Sequence, residues 1–218
     1  MTCSVIVYTS AMGRWPSGAR ERLERAALEL FLEQGFAETT VPQITARAGL
    51  TTRTFFRHFA DKREVLFAYE EGLPALVEQL MAEAPASLGP LAVIDYGLER
   101  VARAAFDGHL RELRTRRAVI DADEGLRERE LRKRAILSGA CRQGFLQRGA
   151  DELTATLAAE MAVTVFSVAL TRWLDGDGER GFSEIISETL GALQVVAAGA
   201  LPPASTDRAA LIKADLPG

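Results

Sequence analysis

The stretch Ala48-Gly49-Leu50-Thr51-Thr52-Arg53-Thr54-Phe55-Phe56-Arg57-His58-Phe59 constrains this chain more than any other. Gly49 can take positive φ without a Cβ penalty, so the chain can turn sharply between a helix ending at Ala48 and another opening after Thr51. The Thr51 side chain suits the cap of that second helix, accepting from free backbone amides. Phe55 and Phe59, four apart, share an inward face with Leu50 nearby, while Thr52, Arg53, Phe56 and Arg57 make a second, outward face. This is helix-turn-helix geometry.

Upstream, residues 20–34 place Leu23, Ala26, Ala27, Leu30 and Phe31 at helical three-and-four spacing, and Gly35 stops that helix as a left-handed cap would. Thr40-Val41-Pro42-Gln43 combines a threonine cap, a first-turn proline and a glutamine three residues on, a capping box that opens the second helix. Downstream, Asp61-Lys62-Arg63-Glu64 is another capping box and brings Lys62 to a helix N-terminus, where free amides and the dipole favour phosphate. Threonine and arginine on the outward face suit a major groove, since threonine can exchange hydrogen bonds or touch a thymine methyl and arginine can grip guanine or phosphate.

The charge distribution agrees with a DNA-facing head. The whole chain of 218 residues carries a net charge of −4, yet between Arg14 and Arg63 nine basic residues face six acidic ones. A basic head is thus joined to an acidic body.

Residues 20–67 resemble the DNA-binding domain of the TetR family of bacterial transcriptional regulators. The marks are Gly35-Phe36 closing helix one, Thr39-Thr40-Val41-Pro42-Gln43-Ile44 opening helix two, Ala48-Gly49-Leu50 at the turn, and Thr54-Phe55-Phe56-Arg57-His58-Phe59 followed by Asp61-Lys62. The resemblance implies base contacts from Thr51, Thr52 and Arg53 and backbone contacts from Phe56, His58 and Lys62; Thr40 and Arg57 complete the expected DNA-binding set. Phe56 departs from the tyrosine often found there. Without a hydroxyl its expected role shrinks to packing on sugar or a thymine methyl.

The remainder reads as helices only, giving an all-α fold of about nine helices: a three-helix head at 14–60 and a helical ligand-binding and dimerisation body at 61–200. Its first helix, 61–81, links the two and bends at Pro74. Residues 1–13 read as a disordered or mis-annotated extension, and 201–218 as a flexible tail. The last two helices, near 151–174 and 182–196, are too apolar to face water on both sides. The resemblance implies a homodimer through them, with Leu157, Met161, Val165, Val168, Ile186, Leu190 and Leu193 at the interface. It also implies a pocket for a small apolar or amphipathic effector between the middle helices, for which Tyr69, Tyr96, Phe106, Phe145, Met161 and Phe166 are candidates, each also an ordinary core residue. The basic run from Arg111 to Arg134, including Arg116 and interleaved with acids, reads as a solvated helix face.

Other classes are disfavoured. Cys3 and Cys141 are far apart, and with only His58 and His109 to join them no metal or disulfide framework emerges. Nor is there a paired nucleophile and base or a glycine-rich phosphate loop, so no enzyme and no cofactor are expected. The apolar residues 1–8 lack a basic flank and are too short to span a membrane. The expectation is a cytoplasmic, nucleoid-associated regulator, most often a repressor, that binds a palindromic operator. The alternative is an all-helical small-molecule binding protein whose head has degenerated.

Overall fold

In the computed structural model the described residues are 18–68, 72–106 and 108–199, and they are helical, with no strand among them. Among the described residues ten helices follow in order: α1 (Ala19–Gln34), α2 (Val41–Ala48), α3 (Thr52–His58), α4 (Glu64–Phe67), α5 (Leu73–Glu83), α6 (Pro90–Ala105), α7 (Leu110–Asp121), α8 (Glu124–Gln147), α9 (Glu152–Asp175) and α10 (Phe182–Ala197). The expected single helix over 61–81 is instead two elements. α4 ends at Phe67, and α5 starts after Gly72 with Pro74 in its first turn, where the missing proline N–H costs no hydrogen bond. The extension expected at 1–13, the tail at 201–218 and Tyr69 lie outside the described residues.

The apolar side chains collect into two clusters. The head cluster holds Leu23, Ala27 and Phe31 of α1, Ile44 of α2, Phe55 and Phe59, and Val65, Leu66 and Phe67 of α4. It does not close on itself: Val119 and Ile120 of α7 and Leu126 of α8 complete it. The second cluster runs through α5 to α10 and is filled by Phe106, Phe145, Phe182 and Trp173, among others. Phe182 packs against Phe106, Phe166 and Trp173 with ring centroids 5.0 to 5.9 Å apart. α7 belongs to both clusters, with Leu113 in the body core and Val119 and Ile120 under the head.

α9 is the central helix of the body. It packs against α8, α10 and α6 and buries Ala155, Ala158, Ala159, Ala162 and Ala169; such small side chains let neighbouring backbones approach closely. α9 is long and apolar enough to cross a membrane, a test that buried core helices also pass. A second close approach joins α5 to α8. A Cβ on Gly144 would lie 2.5 Å from Met81 Cγ and 2.9 Å from Met81 Cβ, so glycine is what permits this crossing.

Cationic side chains hold the ends of the helices. Arg148 donates to the carbonyls of Met81, Ala84 and Pro85 at the end of α5, and Arg114 to those of Leu174 and Gly176 at the end of α9. Both satisfy carbonyls that a helix terminus leaves without a partner, and both complement the negative end of its dipole.

Candidate nucleic-acid interface

The turn forms as the residues demand. Thr40 caps α2 and completes its capping box: its hydroxyl accepts from Gln43 N at 3.4 Å, while its own N–H donates to Gln43 Oε1 at 2.8 Å. Gly49 sits at φ 63 and ψ 40, the left-handed region. Arg22 reaches across from α1 and donates to the carbonyls of Ala48 and Gly49, tying the turn to the first helix. Thr51 caps α3, accepting from Thr54 N at 3.2 Å.

Phe55 and Phe59 point inward with ring centroids 5.3 Å apart and are buried. Between them the helix turns out Thr52, Arg53, Phe56 and Arg57, all exposed, with Thr51 and Thr40 exposed at its edge. Phe56 is 56% exposed, a large apolar ring that no protein core claims, held edge-on to Phe55 at 5.4 Å. Arg53 and Arg57 pair with no carboxylate among the described residues. Most body arginines differ in this: Arg103 pairs with Glu99, Arg117 with Asp121 and Arg180 with Glu184. Two unpaired guanidiniums beside an exposed ring and hydroxyls form a surface able to take phosphates and base edges.

Two residues expected at the DNA backbone sit elsewhere. The Lys62 ammonium donates to the carbonyls of Phe36 at 2.7 Å, Ala37 at 3.1 Å and Thr39 at 2.8 Å and lies 4.4 Å from the centre of the Phe36 ring. An ammonium has three donors, and here all three go to the loop between α1 and α2. Burial holds its pKa below the ordinary lysine value. His58 is half-buried beside Phe59, and its Nε2 is shielded from solvent with no hydrogen-bond partner among the described residues. Lys62 thus ties the head's own loop, and His58 packs beside Phe59.

The body cavity also differs from expectation. A space of about 70 Å³ lies between α5, α6, α8 and α9, bounded by Leu73, Val77, Leu98, Cys141, Phe166 and Leu170, with Glu130 and Arg134 at its polar side. Of the candidates named from sequence that fall among the described residues, only Phe166 lines it. Phe106 and Phe145 are packed core, while Tyr96 carries Arg100 over its ring at 3.4 Å and Met161 packs against the body core from α9. Burial pushes the Cys141 thiol up to about 11, so it faces the cavity as a neutral, unreactive group. No group of three or more potential metal ligands occurs among the described residues.

The interface set divides. Val165, Ile186 and Leu190 are buried within the chain, because α9 and α10 pack on each other and on α6; they cannot meet a partner. Leu157 and Val168 are exposed, and Leu153 and Val196 join them. Met161 and Leu193 are half-buried.

A three-helix head, whose outward face carries two arginines with no carboxylate partner among the described residues, is set on a helical body with a small apolar cavity, and the head has the helix-turn-helix arrangement. Residues 24–69 match the family described as bacterial regulatory proteins, tetR family. Over 91 residues, 42% of this chain, it is 38% identical to the HTH-type transcriptional regulator TcmR of Streptomyces glaucescens. Over 145 residues, 61% of this chain, it is 29% identical to the HTH-type transcriptional regulator HbdR of Aromatoleum sp. (strain CIB). These alignments span 40% and 62% of the two relatives' own lengths. In fold the chain is similar to a TetR-family regulator from Syntrophomonas wolfei, with a TM-score of 0.58 and 15% identity over 85% of this chain and 98% of that one. It is likewise similar to SmeT, the repressor of the Stenotrophomonas maltophilia multidrug efflux pump SmeDEF, with a TM-score of 0.55 and 19% identity over 82% and 89%.

Proposed function

We propose that this protein is a dimeric, sequence-specific transcriptional regulator that represses from a palindromic operator and is released by a small apolar or amphipathic effector. The observation that carries the reading is the outward face of α3, where Arg53 and Arg57 stand exposed beside Phe56 and Thr52, with no carboxylate partner among the described residues. A head that had lost its DNA would have no reason to keep two uncompensated charges and an exposed ring on its one intact reading surface. The match of residues 24–69 to a family of bacterial regulators supports the same reading against a degenerate binding protein. A reader of genomic DNA works in the cytoplasm, at the nucleoid.

Dimerisation through the exposed stripe of α9 and the end of α10 would hold two α3 helices about one DNA turn apart, roughly 34 to 36 Å between half-site centres. The cavity supports a ligand-driven release. At about 70 Å³ it is far smaller than the roughly 300 Å³ or more of an ordinary ligand site, so an effector that enters must displace the helices around it, and α5 leads through α4 to the head. Operator and effector affinities are then reciprocally coupled.

In vitro selection from random duplexes with the purified full chain tests the reading. A two-fold symmetric site with half-sites one turn apart is expected. Recovery of no preferred sequence would overturn it.

A further inference from the structure

The largest fully buried side chain among the described residues is a charged one, Arg116 of α7. It was expected on a solvated face, and instead it lies at the seam between the two hydrophobic clusters, with Leu113 in the body core on one side and Val119 and Ile120 in the head core on the other. Its guanidinium gathers three elements. Nη2 donates to Glu24 Oε2 of α1 at 3.0 Å and to Glu112 Oε1 of its own helix at 2.7 Å; Nε donates to Glu112 Oε1 at 3.1 Å; Nη1 donates to the Val65 carbonyl of α4 at 2.5 Å. Glu24 is itself buried and takes a further bond from Arg20 at 3.2 Å.

The neighbouring residue continues the connection. Arg117 lies 3.6 Å from Glu130 of α8, and Glu130, which bounds the body cavity, lies 3.7 Å from Arg134. Consecutive residues of one rigid helix thus touch the cavity wall and the head. Apolar packing alone leaves such a seam free to slide, because hydrophobic contact is non-directional. A planar guanidinium fixed by two carboxylates and a carbonyl is directional and has few arrangements.

We infer that Arg116 is the positioning residue through which the state of the body cavity sets the orientation of the DNA-reading head. This rests on the regulator reading above. The path runs from Glu130 through Arg117 and Arg116 to Glu24 of α1 and the Val65 carbonyl of α4, so α7 acts as a further connection between body and head beside the α4–α5 link and the direct contacts of α8 with α4, where Arg129 pairs with Glu64 and Lys133 lies 5.3 Å from the centre of the Phe67 ring. Displacing Glu130 pulls on α7, and the Arg116 knot passes that movement to α1 as a rotation of the head.

The test uses the full-length dimer and the duplex recovered by selection, with hydrogen exchange read over residues 130–141, the cavity wall. In the unaltered protein, duplex binding is expected to change exchange there by a factor of about 5 or more, the lower end of ordinary allosteric coupling. The double variant Arg116→Met with Glu24→Gln removes the buried charges together, so that no lone carboxylate is left in the core. It is expected to fold and to bind the duplex with exchange over 130–141 unaltered. A change as large as in the unaltered protein overturns the inference. If the double variant does not fold, Glu112→Gln, at the less buried carboxylate, decides: a response reduced at least twofold supports the inference, and a full response overturns it. A selection that returns no duplex for the unaltered protein overturns the regulator reading itself, whereas duplex binding with no exchange change over 130–141 in the unaltered protein overturns the coupling alone.

Discussion

Arg53, Arg57 and Lys62 are three cations within ten residues of one another, and their surroundings give them different work. Arg53 is exposed on the outward face of α3 with no acid beside it, so Arg53→Ala is expected to reduce specific duplex affinity by about 1 to 3 kcal/mol while leaving dimerisation intact. Equal affinity for the selected duplex by fluorescence anisotropy would refute that. Arg57, at the end of the same helix, suits phosphate. Lys62 looks equivalent in sequence, but its three donors are held by the carbonyls of Phe36, Ala37 and Thr39. Lys62→Met should therefore cost stability, about 1.5 to 3 kcal/mol for a charged hydrogen-bond set, and leave the slope of log affinity against log salt unaltered. Arg57→Ala should lower that slope by about 0.9 per protomer. A salt titration of the two variants separates the roles, and a reduced slope for Lys62→Met would return it to the phosphate backbone. The anchors Phe55 and Phe59 were legible from spacing alone. The job of Lys62 was not, because it depends on where the loop between α1 and α2 passes.

Among the elements, those set by local chemistry were legible. The Thr40 capping box, the left-handed Gly49 and the Thr51 cap each act within a few residues, and each is in place. The linking helix shows the limit of that kind of reading. Apolar periodicity runs through 61–81, but Gly72 and Pro74 suit the start of a helix better than its middle, and α5 begins there. Asp123 caps α8 by accepting from Leu126 N at 2.9 Å. The α5–α8 crossing had no local signal at all. Gly144 reads as an ordinary helical glycine until Met81 is found against it, and Gly144→Ala is expected to cost about 1 to 3 kcal/mol through overpacking, although alanine is the better helix former. Urea denaturation checks this, and a midpoint that stays put or rises would mean that Met81 moves aside freely.

At the scale of the whole molecule, the head and body meet through a shared core and a buried ionic knot, and the body keeps an apolar stripe outside. Leu153, Leu157 and Val168 fall along one side of α9, and Val196 near the end of α10 is exposed as well. Leu157→Glu is expected to weaken the dimer by about tenfold to a hundredfold, since burying one leucine contributes about 1.5 to 3 kcal/mol. Sedimentation velocity would show the monomer appearing, and specific duplex binding should fall with it; an unchanged dimer would place the interface elsewhere. The sequence by itself determined the helical class, the helix-turn-helix and the outward face of α3, because periodicity, caps and a glycine turn operate over four to seven residues and need nothing distant. Only the tertiary structure decided which apolar residues of α9 and α10 are spent inside the chain, which line the cavity, that Lys62 serves the head's own loop, and that Arg116 is buried at its seam. Each of those depends on a neighbour that the chain brings from dozens of residues away, and no local pattern encodes it.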